Sequence, residues 1–300
     1  APHWNGSNTM DDSLAEWLRI REAADAAARQ AAVEAPVLDA LAGRAPVRVL
    51  DLATGAGSNL RHLADRLPPR QQWLVVDHSD ALLRHLVIRT AVWAVGRGHE
   101  VETADDGLSI RGAGLACDVT TRRMDLGTLD TDAIFEGRDL VTASALLDLV
   151  SDAWLQRLAD QCRRAGAHAL FTITYDGRSG CLPAEPEDEM VRELFNAHQA
   201  RDKGLGGGAA GPGAASAAER AFASAGFAVH TATSDWRLGE ADAAVQRVLI
   251  TGWADASSEV APDRAAAIAD WRARRLAHVD AGRSRLVVGH VDLAALHPGR

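Results

Sequence analysis

Lysine occurs once in the 300 residues, at Lys203, and acids outnumber bases enough to leave a formal net charge of −9 and a pI near 5.6. A large nucleic-acid footprint needs clustered basic side chains, so this balance argues against nucleic acid as a partner. Cysteine is scarce too: Cys117, Cys162 and Cys181 are odd in number and widely spaced, which excludes both a disulfide framework and a cysteine metal motif. Among 11 histidines no His-x-x-His or His–carboxylate spacing falls on a convincing helix face, so no metal is expected. No apolar run approaches the ~18 residues of a membrane span. Residues 1–10 lack a basic region followed by an apolar core, so no secretory leader and a cytoplasmic location are expected.

What the chain does have is a 47% apolar content, enough for a sizeable core. Its organising stretch is Val47 to Leu63. A short β-branched apolar run ends in Asp51 and passes through Ala53, Gly55 and Gly57. From Asn59 the apolar spacing becomes helical. This pattern predicts a buried parallel strand turning tightly into a helix, where glycine lets a ligand approach the backbone. A dinucleotide fingerprint needs a third glycine for close helix–strand packing, and Leu60 stands at that position.

Further strands are expected at Trp73–Asp77, Leu115–Met124, Asp139–Ser144 and His168–Tyr175, with a hairpin at His99–Ile110. Helices are expected at Met10–Ala32, Pro36–Leu41, Asn59–Arg66, from His78 onward, Asp152–Ala165, Ala214–Ala225 and Pro262–Val279. Two last strands, Phe227–Ser234 and Val245–Gly252, lie too close together for a helical crossover and predict an antiparallel end. Leu286–Val288 reads as a strand or packed coil. The alternation argues an α/β fold, doubly wound around a mostly parallel sheet. Acids close three successive strands, Asp51, Asp77 and Asp125, so all three should line one crevice at the carboxyl edge.

Read as Asp-x-Ala-x-Gly-x-Gly, Asp51–Gly57 resembles motif I of the class I S-adenosylmethionine (SAM)-dependent methyltransferases, with Ala53 where that family usually has Gly. The resemblance covers roughly Val47 to Gly252. It implies a Rossmann-like sheet closed by an antiparallel hairpin, with residues 1–45 as a helical N-terminal cover and 46–300 as the SAM-binding domain. It also implies a cofactor lining of Asp51, Ala53, Thr54, Gly55, Gly57, Asn59, Asp77 and His78. Asp77 would take the ribose hydroxyls and Asp125, with Leu126, the adenine amino group, Asp118 being the competitor for that role. Ser144 and Ala145 would face the methionine part, and Arg21, on the N-terminal helix, would clamp its carboxylate.

Six of the ten residues from Gly204 to Gly213 are glycine, which marks a flexible loop inside a lid-like insertion near 185–213. Tyr175, at a strand end, and His198, in a polar cluster on that insertion, are the expected catalytic contacts. Trp154, Trp236, Trp253 and Trp271 are expected mostly in the core. Asp148 reads equally as a helix cap or a functional acid. The implied function is methyl transfer to a small-molecule acceptor, by a monomer or homodimer away from membranes. The alternatives are a macromolecular methyltransferase acting on RNA or protein, and a SAM-binding partner protein without activity.

Overall fold

The computed structural model describes residues 9–127, 129 and 132–299, with side chains from Ser13 onward. The organising stretch folds as its pattern demands. β1 (Val47–Leu52) is apolar on both faces because it lies in the middle of the sheet, between β2 (Arg70–Asp77) and β6 (Leu140–Ser144), parallel to both. The sheet continues through β5 (Leu115–Arg123) on one side and β7 (His168–Leu182) on the other. The parallel order is therefore β5-β2-β1-β6-β7. The expected hairpin, β3 (Glu100–Ala104) and β4 (Gly107–Gly112), extends the β5 edge antiparallel.

Helices cover both faces. α2 (Ala31–Leu41), α3 (Ser58–Ala64) and α4 (Asp80–Val95) share one core with Val47, Val49, Trp73 and Val75. α5 (Asp152–Ala165) and α7 (Ala214–Ser224) share the other with Leu50, Leu52, Val141 and Phe171. Ser79 and Ser151 cap α4 and α5 by accepting from the backbone N–H groups of Leu82 and Trp154. The Met10–Ala32 helix is two elements: α1 (Thr9–Ala28) ends before α2 begins, and only α1 lies across the carboxyl edge.

The antiparallel end differs from expectation. Val245–Gly252 is not a strand; it lies inside α8 (Ala243–Val260). The reversed strand is β10 (Arg285–Leu296), inserted between β7 and β8 (Ala228–Thr233) and also pairing the short β9 (Trp236–Leu238). The buried positions Gln246, Ile250, Trp253 and Ser257 recur at helical spacing, so the β-branched run at 245–250 was outweighed by a longer amphipathic period. α8 and α9 (Ala265–Asp280) thus form a helical pair between β9 and β10.

β7 is twice the expected length and overshoots the sheet, and a bulge bends it where it leaves. Val291 pairs with Thr174 and Leu293 with Phe171, so Thr172 and Ile173 together face Asp292. Ile173 sits at φ +56°, a rare state for a β-branched residue, and its N–H donates to the buried Asp292 carboxyl at 2.8 Å. On the overshooting arm a third core collects Trp17 from α1, Phe195 from α6 (Asp188–Gln199), Trp253 from α8 and Trp271 from α9. The carboxyl edge is roofed by this helical layer.

Candidate functional site

The turn after β1 is held from beneath by one buried carboxylate. Asp51 accepts from Thr54 Oγ1 at 2.6 Å and from Asn59 Nδ2 at 2.7 Å, while Asn59 Oδ1 accepts from Arg29 Nη1 at 2.7 Å. Asp51 therefore shapes the loop with both oxygens. Ala53, at φ +49°, and Gly55, at φ +55°, take left-handed conformations, and only the glycine does so without strain. A Cβ on Gly57 would sit 2.7 Å from Leu86 Cγ, so this glycine lets α3 close against α4.

Burial raises the Asp51 carboxyl to about 6, against the hydrogen bonds from Thr54 and Asn59 that lower it. A carboxyl raised in the folded state contributes stability that is complete below its unfolded value near 3.8 and lost as pH climbs through about 6. The loss amounts to about 3 kcal/mol at ~1.4 kcal/mol per pH unit. Denaturant unfolding of the ligand-free protein at pH 4 and pH 7 should show that loss relative to Asp51→Asn, which has no proton to give up. Equal pH dependence in the two proteins would refute it.

Asp77 closes β2 with both oxygens engaged by backbone: Oδ2 accepts from Gly55 N at 2.9 Å and Oδ1 from Ser79 N at 3.0 Å. His78 is exposed beside it, its Nδ1 3.2 Å from Asp77 Oδ1. Asp125 Oδ1 accepts from Gly127 N at 2.9 Å, and the Leu126 carbonyl accepts from Trp154 Nε1 at 2.6 Å. Asp118, the competitor, is exposed and ion-paired to Arg111 on β4, away from the edge.

All the residues expected around the cofactor, except Gly57, line one cleft of about 850 Å³ at the carboxyl edge. Lys203, Gly204 and Leu205 from the Gly-rich loop form its rim, where the Gly204 carbonyl faces Gly127. Arg21 is not free to clamp a carboxylate: Nε and Nη2 bond the Asp25 oxygens at 3.0 and 3.1 Å, and its guanidinium lies 4.9 Å from the Trp236 ring. Arg29 is ion-paired too, its Nε donating to Glu34 Oε1 at 2.6 Å, but it keeps one nitrogen unused. Its Nη2 is buried without a hydrogen-bond partner among the described residues. Arg29 lines a pocket that shares Asp25, Ser58, Asn59 and Ser144 with the cleft.

A second, smaller chamber of about 100 Å³ opens beside the cleft, the two sharing Trp17, Arg21, Ala145 and Leu149. Tyr175 lines it, with its phenol pushed upward by burial and its Oη donating to Asn196 Oδ1 at 2.8 Å. His198 does not reach either space. It is fully buried between α6 and α8 with Nε2 3.3 Å from Glu259, whereas Phe195 and Gln199, one helical turn apart, face the chamber. Trp236 and Trp253 are buried as expected, yet they also form chamber wall. The residues that sequence reading missed here are His290 and Gln199. His290 sits mid-strand on β10, and burial pushes its imidazole down to about 3, so the ring is neutral. Among the described residues no three His, Cys, Asp or Glu side chains group as metal ligands, and no helix is long and apolar enough to cross a membrane.

No protein-family model matches the chain, and no curated protein sequence matches it. Solved structures do. The YcgJ protein of Bacillus subtilis is 15% identical, with 88% of this chain and 98% of that one covered at a TM-score of 0.45. A putative methyltransferase from Bacillus halodurans is 14% identical, with 87% and 97% covered at 0.45. Geranyl diphosphate C-methyltransferase from Streptomyces coelicolor, solved with Mg2+, geranyl diphosphate and S-adenosyl-L-homocysteine, is 15% identical, with 88% and 77% covered at 0.41. This chain's own sheet is mostly parallel, with flanking helices and an antiparallel strand near the C-terminus.

Proposed function

We propose that the chain is a class I SAM-dependent methyltransferase acting on a small-molecule acceptor in the cytoplasm. The observation that carries this reading is one cleft in which a glycine turn and two strand-end carboxylates sit in the order of a nucleoside, with the buried Arg29 Nη2 lining an adjoining pocket that shares Ser58, Asn59 and Ser144 with it. Asp77 takes the ribose hydroxyls, because each carboxylate oxygen keeps a lone pair beyond its backbone bond. Asp125 lies at the adenine end, with Lys203–Leu205 as a lid over it. Ser144 and Ala145 leave room for the sulfur, and Arg29 Nη2 receives the carboxylate. Bound SAM supplies an already activated methyl group, so positioning supplies most of the catalysis. A dinucleotide fits less well, since the fully buried Leu60 fills the helix–strand contact that its fingerprint reserves for glycine.

Calorimetry with SAM, S-adenosylhomocysteine and NAD tests the reading. Binding of the first two is expected, and binding of NAD alone would overturn it. The carboxylate assignment has its own test. Arg29→Lys should weaken S-adenosylhomocysteine about tenfold or more, the worth of one charged hydrogen bond at ~1.5–3 kcal/mol. It should leave 5′-methylthioadenosine, which lacks the amino acid, unchanged. Arg21→Lys should change neither by more than about threefold. A larger loss in Arg21→Lys than in Arg29→Lys would return the clamp to Arg21.

A further inference from the structure

We propose that the chamber beside the cleft receives a small amine, its nitrogen on the Asp148 carboxylate and its carbon skeleton among the rings of Trp17, Tyr175, Phe195, Trp236 and Trp253. The inference rests on the methyl-transfer reading for the identity of the reaction, but the chamber itself argues the ligand.

The first argument is what its walls leave unsatisfied. Asp148 lies in the 3-10 turn Leu147–Leu149 that follows β6, is 8% exposed, and its Oδ1 has no hydrogen-bond partner among the described residues. Gln199 Oε1, on a side chain 3% exposed, and His290 Nδ1, on one 5% exposed, are likewise unpartnered, and all three residues line the same space. Buried polar atoms without partners are costly, and they mark where a ligand is expected to bond. Two of the three are oxygen acceptors, so the missing partner is a donor. An ammonium has up to three N–H donors and no acceptor; an alcohol has one donor.

The second argument is charge. Among the described residues the one cationic side chain lining the chamber is Arg21, which spends its guanidinium on Asp25 in a two-bond pair. The rings already hold one cation at the chamber mouth: Arg21 Cζ lies 5.6 Å from the Trp17 ring and 4.9 Å from that of Trp236. Indole faces attract cations, and the attraction grows when water is excluded. Burial lifts the Asp148 carboxyl above the usual range, with hydrogen bonds from the backbone of Asp148 and Tyr175 and the charge of Arg21 acting in the opposite direction. An incoming ammonium restores its charge and can hand it a proton.

The third argument is position. Ala145 and Leu149 border both spaces, so a nitrogen on Asp148 lies beside the part of the cleft assigned to the sulfur. The ammonium first gives a proton to Asp148. The freed lone pair forms the new N–C bond as the methyl C–S bond breaks, and that bond's electron pair stays on sulfur as the neutral thioether S-adenosylhomocysteine. The N-methylated product leaves as an ammonium, and Asp148 returns its proton to water.

Calorimetry with benzylamine, benzyl alcohol and benzoate, with and without S-adenosylhomocysteine, tests the proposal. Benzylamine should bind at least tenfold tighter than benzyl alcohol, with benzoate weakest, and Asp148→Asn should abolish the preference while S-adenosylhomocysteine affinity stays within twofold. Equal binding of benzylamine and benzyl alcohol to the parent overturns the amine assignment, even if the variant does not fold. A preference that survives Asp148→Asn removes Asp148 from it. If the amine preference holds but S-adenosylhomocysteine fails to bind, the methyl-transfer reading falls and the amine chamber stands. If the nucleoside binds and the preference is missing, the reverse follows, and if neither ligand binds both are overturned.

Discussion

Asp77→Ala is expected to raise the Kd for S-adenosylhomocysteine at least a hundredfold, with the folded fraction at 25 °C unchanged. Two effects combine. The ribose loses a charged acceptor for two hydroxyls, each bond being worth ~1.5–3 kcal/mol. The cradle also loses its clasp, because Asp77 holds the N–H of Gly55 at 2.9 Å and that of Ser79 at 3.0 Å, tying the first turn to the start of α4. Asp77→Asn separates the two effects. It keeps one acceptor oxygen for Gly55 but presents a donor where the charge was, so an intermediate loss of about tenfold is expected. Calorimetry on the three proteins reads both steps. An Asp77→Ala protein that binds as the parent does would remove the ribose role and, with it, the register of the whole cleft.

The second large effect is on stability and comes from a residue that does not line the cleft. Asp292→Ala should lower the unfolding free energy by about 3–5 kcal/mol, since a buried carboxyl leaves behind donors that cost ~1–3 kcal/mol each when unpaired. Those donors are the N–H of Ile173 at 2.8 Å, the Ser234 hydroxyl at 2.7 Å and the N–H of Gln30 at 2.9 Å. They come from β7, the end of β8 and the start of α2, so one side chain joins three segments distant in sequence. Ile173, with its left-handed backbone, has no residue opposite it in the β10 register. Thermal unfolding should shift down by about 5–10 °C in a chain of this size, while Asp292→Asn, with one acceptor left, should lose less than half as much. A change within ~1 kcal/mol in the alanine variant would show that the bulge stands without its carboxylate.

How much of this was legible follows the range of the interactions. The cleft's backbone was readable because β1 with its glycine turn, the end of β2 and the end of β5 each depend on local chemistry: an apolar strand buried on both faces, a turn needing small residues, an acid at the strand end. Arg21 does line the cleft, and its pairing there was legible, since Arg21 and Asp25 stand at the i,i+4 spacing at which helical ion pairs form. Arg29 was not readable, because its inward aim depends on the break between α1 and α2 and on Asn59 across the sheet edge. His198 was chosen for its chemistry, but a helix presents one face: once Phe195 and Gln199 turn toward the chamber, His198 turns toward α8. The strand assigned to Val245–Gly252 followed β-branched propensity over a short window, and the longer period through Ser257 decided otherwise. Asp292 carries no local signal at all; a carboxylate inside an apolar run declares itself only when its three donors arrive.

The overshoot of β7 has a further consequence for how such a chain diversifies. Residues that border the cleft come almost entirely from α1 and from the segments between β1 and the turn after β6, whereas the chamber is walled largely by α6, α8, β9 and β10. The two tracts share little beyond Trp17, Arg21, Ala145 and Leu149. Substitutions accumulating after residue 187, outside the Asp202–Leu205 rim, can therefore reshape much of the chamber while most of the cleft is inherited intact. The long arm of β7 makes that separation possible, because it carries the roof helices on a scaffold that the cleft does not use.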